Sequence, residues 1–503
     1  MQSALHSRSN EKRAELHRRS LPRTFDVGAS VKAAYLAVRR YPRDAARRLT
    51  LAKVLLGTKR RDLALRHAQR AAAIAPKGWS RASELGQLLF KLGDFDLAAF
   101  CIATGLESIY PDARAMRTLS ALLTRTDRRE EARSWLVATA RDCPFEIQGE
   151  LDPNKPTLLQ IRTPDNSRMH IGRDKITGLN MTVHCEGHFS TRHLLATSEF
   201  NIVRANVSES HLPDPTRLPS IAGILNTVSC PDRNAPVLTQ IACFLGQMGS
   251  VPVINKPQAV LKTTRELNSE RIGRIDGVRM ARTVRIANSG GPEHVARCVE
   301  GAGLGYPMIL REVGTQTGHT MAKIDGTAAL FEYLRRTSPG TPLYAIEFFD
   351  CRDREGVYRK TRAFFVNGRF YPVANLKSDH WQIHSADRYR VMHASEAMQQ
   401  DEQRYLSDPI AYLGAKRVRR LFAIRDLIGL DFFGIDFSTA PDDKLVVFEA
   451  NAAMRHNYDY ADAFPYTRPY LDRISAAFTQ MVQARVANGP LRSADLSRAS
   501  DLG

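Results

Sequence analysis

The stretch that most constrains this chain is Leu430 to Met454, LDFFGIDFSTAPDDKLVVFEANAAM. An apolar run to Phe437 meets a Ser-Thr-Ala-Pro-Asp-Asp turn, and a β-branched and aromatic run follows from Leu445 to Phe448, which predicts a β-hairpin. Three oxygen-bearing side chains interrupt it: Asp436 near the end of the first strand, and Glu449 and Asn451 at the end of the second. Antiparallel pairing across a short turn brings Asp436 close to Glu449, while Glu449 and Asn451, two residues apart, share a face. Carboxylate and amide oxygens converging in this way suit a hard cation that keeps its waters and bridges phosphates, which means Mg²⁺. A surface hairpin with polar ends is the plainer alternative. The apolar flanks predict burial, and a buried carboxylate requires a partner.

The chain has 503 residues, enough for about two to four domains. No apolar run reaches the roughly 18 residues a membrane-spanning helix needs, so no membrane association is expected. The basic N-terminus lacks the apolar segment of a secretory signal. Seven dispersed cysteines without a CxxC pair argue against a disulfide framework or a zinc site and favour a reducing, cytoplasmic setting. The formal net charge is +19, and residues 1–150 hold 28 Lys and Arg against 16 Asp and Glu, a net +12. Such a surface favours acidic partners, although a solvated helical face rich in arginine reads the same way. Nucleic acid is not expected as a partner, because no basic stripe is interleaved with aromatics.

That basic third carries an internal repeat. Ala64, Ala98 and Ala132 stand 34 residues apart, and Pro42, Pro76, Pro111 and Pro144 follow at intervals of 34, 35 and 33. Two amphipathic helices fit in each unit, for example 80–91 and 95–109 around a Gly93-Asp94 turn. The period and the unit Trp79 to Pro111 resemble the tetratricopeptide family, with Ala52 and Ser120 standing where the glycine of the pattern falls in the other units. Degenerate helical hairpins are the alternative. The resemblance implies a concave surface for an extended peptide or a partner helix.

From Glu150 the texture changes. Apolar runs at 157–161, 201–207 and 221–228, a helix over 236–249 and a short strand at 251–254 predict a small parallel α/β domain. His184, His188 and His193 do not have the spacing of a common ligand motif. An amphipathic helix over 262–275 carries Arg265 near its start, and VRMARTVRI reads as one strand. A buried strand over 307–312 ends in Arg311, followed by the loop Gly314-Thr-Gln-Thr-Gly318-His-Thr and a second strand over 321–324. A glycine loop between strands can close over phosphates, although many ordinary hairpins contain the same spacing. LYAIEFFD is an apolar strand with one acid, Glu347; it is either a slot for a purine, with Asp350 or Asp353 toward the ribose, or a core strand whose acid is paired. Strands over 357–366 and 369–376 flank Asn367-Gly368, the strongest short hairpin signal. Lys360 and Arg362 share a face there, and helices over 394–406 and 411–428 lead into the 430–454 hairpin.

This order of parts, over roughly residues 180–480, resembles the ATP-grasp superfamily of carboxylate–amine ligases. The most specific element is the spacing of Asp436, Glu449 and Asn451. The expected architecture is an α-helical repeat array (1–148, with 1–25 flexible), a small α/β domain (149–275), an α+β ATP-grasp domain (276–485) and a flexible tail (486–503). The resemblance implies ATP and two Mg²⁺ ions, with Asp436, Glu449 and Asn451 as metal ligands. It assigns Arg265, Arg311, Gly314, Thr315, Gly318, Lys323 and Arg362 to the phosphates and closing loop, and Glu347, Phe348 and Phe349 to the adenine. Arg311 and Arg362 would be catalytic, stabilising the transferred phosphoryl group. Arginine at 265 and 311 departs from the family's lysines, replacing a point charge by a planar fork, and the motif ends EANAAM without the usual Gly or Pro. The implied reaction activates a carboxylate as an acylphosphate and couples it to an amine, on a peptide or protein recruited by the repeats with a small-molecule amine or carboxylate as co-substrate. The alternatives are a small-molecule ligase whose repeats only form a homo-oligomer, and a nucleotide-binding scaffold without turnover.

Overall fold

The computed structural model describes residues 27–107, 112–174, 178–315, 318, 320–441 and 443–487. Residues 1–25, Pro111, the loop positions Gln316, Thr317 and His319, and the tail beyond 487 lie outside the described residues. By internal contacts the chain divides into two units, Met1–Trp135 with Met169–Thr182, and Leu136–Arg168 with Val183–Gly503. Among the described residues no helix is long and apolar enough to cross a membrane.

The first unit contains the helices Val27–Arg40, Ala45–Gly57, Arg61–Ile74, Ala82–Leu92, Phe95–Leu106 and Ala113–Arg125, and the division between units falls inside the next, Arg129–Asp142. Asp44, Asp94 and Asp112 start three of them, each carboxylate accepting from a backbone N–H of the first turn. Gly93 ends the fourth at φ +93°, in the left-handed region glycine enters without strain. Ala64, Ala98 and Ala132 are all buried, as the 34-residue spacing predicts. A Cβ at Gly86 would lie 2.5 Å from Ile102 Cγ1 and 2.9 Å from Ala98 O, so those two helices touch through glycine. Ser120, at the same place one period later, donates its hydroxyl to Ala132 O at 2.7 Å.

The second unit is α+β. Strands β1 (Phe145–Ile147) and β2 (Thr157–Arg162) precede the two-stranded ribbon β3 (Ser167–Asp174) and β4 (Gly178–Cys185), whose outer portion belongs to the first unit. With β5 (Asn201–Asn206), β6 (Gly223–Asn226) and β7 (Val253–Ile254) they build a sheet ordered β1-β5-β2-β6-β7, parallel except for β1. Val237, Leu238, Ile241 and Phe244 of the helix Pro231–Gly246 share a core with Leu159, Ile161, Val203 and Ile224 of this sheet. That helix begins five residues before the sequence expectation, because Pro231 sits at its first turn, and a kink at Asn234 accommodates Pro236.

VRMARTVRI is not one strand. It divides into β8 (Val278–Met280) and β9 (Thr283–Ile286), which lie in different sheets. β9 joins β10 (Met308–Glu312), β11 (Ala322–Ile324) and β12 (Leu343–Glu347) in an antiparallel sheet ordered β11-β10-β12-β9, covered by the helices Gly291–Gly301 and Thr327–Arg335. β8 pairs parallel with β16 (Leu445–Asn451) at the edge of β14-β13-β15-β16-β8, where β13 is Tyr358–Val366, β14 Arg369–Ser378 and β15 Phe432–Thr439. Asn367 (φ 47°) and Gly368 (φ 75°) form the turn their sequence predicts. The helix expected over 411–428 is broken at Gly414, φ +81°, into Pro409–Leu413 and Ala415–Ile428.

Candidate active site

The hairpin register places Asp436 opposite Glu449 and Gly434 opposite Asn451, with a bulge between Asp436 and Phe437. On the other side of β15, Arg362 of β13 is the register partner of Asp436. Arginine, aspartate and glutamate thus form one rung across three strands. Arg362 holds Asp436 with a two-armed ion pair, Nε to Oδ1 and a terminal nitrogen to Oδ2, both 2.7 Å. Lys360 Nζ lies 3.9 Å from Asp436 Oδ2. Burial alone would raise the Asp436 carboxyl; the attraction of Arg362, with Lys360 and Arg265 behind it, holds it below the usual carboxylate range.

Glu449 receives a different arginine. Thr264 caps the helix Arg265–Gly273, and from its first turn Arg265 reaches Glu449 Oε1 at 2.5 Å. Asn451 Nδ2 donates to the same oxygen, also at 2.5 Å. This leaves Asn451 Oδ1 buried without a hydrogen-bond partner, a state that ordinarily costs about 1–3 kcal/mol. Asn268, one turn beyond Arg265 on the same helix face, donates to Thr263 O and Ala450 O, and its own Oδ1 is also buried without a partner. Orphaned hard oxygens beside a carboxylate fit a divalent cation. Asp436 is a less open donor, since both its oxygens already receive Arg362.

A narrow cleft gathers these groups from five separate segments. Arg265 and Asn268, Arg311, Gly314 with Thr315, and Glu449 with Asn451 all line it, and Asp232 and Tyr344 complete the wall. Arg311 is 6% exposed and stands opposite Tyr344 in the β10–β12 register. Burial, and then repulsion by Arg265, pulls its guanidinium down to about 10. Its terminal nitrogen donates to Thr315 O, which ties the stem of the glycine loop to the strand. Gly314 and Gly318 have φ of +75° and +74°, and a Cβ at Gly314 would lie 2.9 Å from Arg233 Cγ. Gly318 O accepts from Gln382 at 3.2 Å, so the loop that follows β14 meets the glycine loop.

The other residues singled out in the sequence lie along the neighbouring strand ends. Glu347 is paired: Arg279 reaches its Oε1 at 2.9 Å, and the Arg282 N–H donates to Oε2 at 3.3 Å. Arg279 also covers the Phe349 ring at 3.4 Å, while Phe348 meets Trp381 edge-on at 5.9 Å and Lys323 at 4.9 Å. Lys323 pairs with Asp325 at 2.8 Å. Asp350 is held by Arg352 and Asp353 caps its own turn, and neither is among the residues lining the cleft. Arg362 and Asp436 are absent from that lining as well.

Sequence reasoning missed Asp232, Tyr344 and Asn268. The Tyr344 hydroxyl lies 2.6 Å from Asp232 Oδ1 and 2.5 Å from Glu266 Oε2, and Arg285 bridges all three. Burial, then the Asp232 charge, raises the phenol well above its ordinary value, so it stays protonated. Asn268 was findable: it stands three residues after Arg265 on a predicted helix, hence on the same face. Tyr344 and Asp232 had no local signal.

No family model matches the sequence, and no curated protein matches it. Similar solved structures include a RimK domain ATP-grasp protein of Sphaerobacter thermophilus, at 12% identity and a TM-score of 0.37 over 65% of this chain and 99% of that one. D-alanyl-alanine synthetase A of Vibrio cholerae is similar at 12% identity and a TM-score of 0.40, over 66% of this chain and 99% of that one. The D-alanine–D-alanine ligase of Bacillus anthracis is similar at 9% identity and a TM-score of 0.37, over 66% and 100%.

Proposed function

We propose that the second unit is an ATP-grasp ligase that activates a carboxylate with ATP and joins it to an amine. The observation that carries this reading is the cleft itself. Arg265 and Arg311 converge there with the stem of a glycine loop on a carboxylate and two orphaned amide oxygens. Counting the rung beside it, Arg265, Arg311, Lys360 and Arg362 face Asp232, Asp436 and Glu449, an excess of positive charge that suits a polyphosphate.

In the proposed reaction a substrate carboxylate oxygen attacks the γ-phosphorus of ATP. The bond to the bridging oxygen breaks, ADP departs, and an acylphosphate remains. An amine nitrogen then attacks the acyl carbon and displaces phosphate, losing its proton. Glu449 and Asn451, with Asp436, would hold Mg²⁺, which when bound neutralises phosphate charge. Arg265 and Arg311 bind and orient the phosphates; Arg362 fixes Asp436 and offers its charge to the transferred group. Gly314 and Gly318 let the loop approach the phosphates without a Cβ. Glu347 to Phe349 would take the adenine, with Lys323 beside it. Tyr344 positions Asp232 and Glu266 and excludes water. Positioning and electrostatics supply the catalysis, as expected of phosphoryl transfer.

The helical hairpins of the first unit are proposed to be a tetratricopeptide-type array that recruits a peptide or protein substrate, supported by the buried alanines at 34-residue spacing. ADP release in Mg²⁺-ATP with pooled amino acids and peptides tests the whole reading. Glu449→Ala should abolish release with the fold intact. Nucleotide binding without ADP release from any acceptor would favour a scaffold, a reading the pre-formed Arg–carboxylate pairs also permit.

A further inference from the structure

A second, larger depression opens from the same cleft. It measures about 1050 Å³, at the upper end of the roughly 300–1,000 Å³ of a small-ligand pocket, and shares Thr315 and Ala453 with the phosphate cleft. Its wall holds five arginines, Arg162, Arg192, Arg204, Arg233 and Arg455, against one carboxylate, Glu186. Glu186 is occupied by Arg233 at 2.5 Å, and Arg233 in turn donates to Gly314 O. Arg455 has an exposed partner in Asp459 at 3.2 Å, but Arg162 and Arg192 have no carboxylate partner among the described residues. Where the floor approaches Ala453, His456 is 3% exposed and its Nδ1 has no hydrogen-bond partner, while its Nε2 meets Ser475 Oγ at 3.1 Å. Burial, with His193 nearby, lowers this imidazole to about 4, so it is neutral and the cationic character of the groove comes from arginine. Beyond Arg192 and His193 the depression continues into a trough lined by Tyr458, Arg468 and Gln483.

We infer that this groove is the docking track for an extended acidic polypeptide segment, whose reacting carboxylate enters the phosphate cleft past Thr315 and Ala453. The inference rests on the ligase reading and names its substrate class. The guanidiniums of Arg162 and Arg192 can recognise carboxylates by bidentate hydrogen bonds, and the continuity into a second trough calls for a chain rather than a single amino acid.

The test is fluorescence anisotropy of a labelled hexaglutamate peptide on the full chain, with hexaglutamine and an oligouridylate as comparison ligands. Hexaglutamate should bind in a salt-dependent manner and hexaglutamine should not. Arg162→Glu combined with Arg192→Glu should weaken hexaglutamate by roughly tenfold or more, while the thermal stabilisation by Mg²⁺-ADP stays at the wild-type level. Unchanged hexaglutamate binding in the double variant would place the acidic ligand elsewhere, for instance on the basic first unit, and overturns the inference. So do absent binding to the wild type, equal binding of hexaglutamine, and an oligouridylate that binds more tightly and is the ligand lost in the variant. If hexaglutamate binds as expected but Mg²⁺-ADP never stabilises the wild type, the ligase reading fails and the assignment of the basic groove to an acidic polypeptide stands.

Discussion

Arg362 grips Asp436 through both arms of its guanidinium, 2.7 Å each, on adjacent strands where the two residues are register partners. Asp436 is 3% exposed, so the pair is an electrostatic unit whose halves are not independently dispensable. Arg362→Met should destabilise the second unit by about 3–5 kcal/mol, the cost of an uncompensated buried carboxylate. Adding Asp436→Asn should recover part of the loss. Urea denaturation of the single and double variants checks this, and additive losses would show that the two residues act separately.

Under the proposed function, Asn451 is expected to separate stability from cation binding. Its buried Oδ1 lacks a partner while its Nδ2 donates to Glu449, so Asn451→Leu removes an unsatisfied oxygen and one hydrogen bond, opposing effects that should leave the unfolding free energy within about 1 kcal/mol. The gain in melting temperature on adding Mg²⁺ with ADP should disappear. Differential scanning calorimetry with and without Mg²⁺ reads both quantities.

Arg311 is expected to cost stability in exchange for function. Burial and then Arg265 lower it to about 10, below the ordinary arginine value. A basic group with a depressed folded pKa penalises folding at every pH below that value, because the unfolded chain holds the proton more readily. Arg311→Met should therefore raise the unfolding free energy by roughly 1–3 kcal/mol while abolishing ATP-dependent turnover. Loss of both stability and turnover would contradict the argument.

His456 predicts an acid-sensitive fold. Burial, then His193, lowers it to about 4, so the unfolded chain binds the extra proton between that value and about 6.5. The stability it contributes is complete above about 6.5 and is lost as pH falls toward 4. Between pH 7 and pH 5 the wild type should lose about 2 kcal/mol more than His456→Asn. Chemical denaturation at the two pH values measures the difference.

In the first unit, Gly86→Ala places a Cβ 2.5 Å from Ile102 Cγ1 and should cost about 1–3 kcal/mol through overpacking. Circular dichroism melts would show a lowered first transition, and an unchanged melt would mean that the two helices separate freely.

What the sequence determined by itself was local. The Asn367-Gly368 turn, the alanines at 34-residue intervals and the pairing of Asp436 with Glu449 follow from turn chemistry and periodicity, which act between near neighbours. Tertiary structure decided what neighbours cannot encode. VRMARTVRI looks continuous, yet Ala281 and Arg282 pass the chain from one sheet to another, because β16 and β12 each offer a free edge. Tyr344, Asp232 and Glu266 lie far apart in sequence and meet only because three elements fold over one cleft. The place of Asp436 beside Glu449 was legible, but the cation that holds it was not. That Arg362 rather than another nearby cation stands opposite it depends on the register of β13 against β15, and a register shift of one residue would send the guanidinium to the other face.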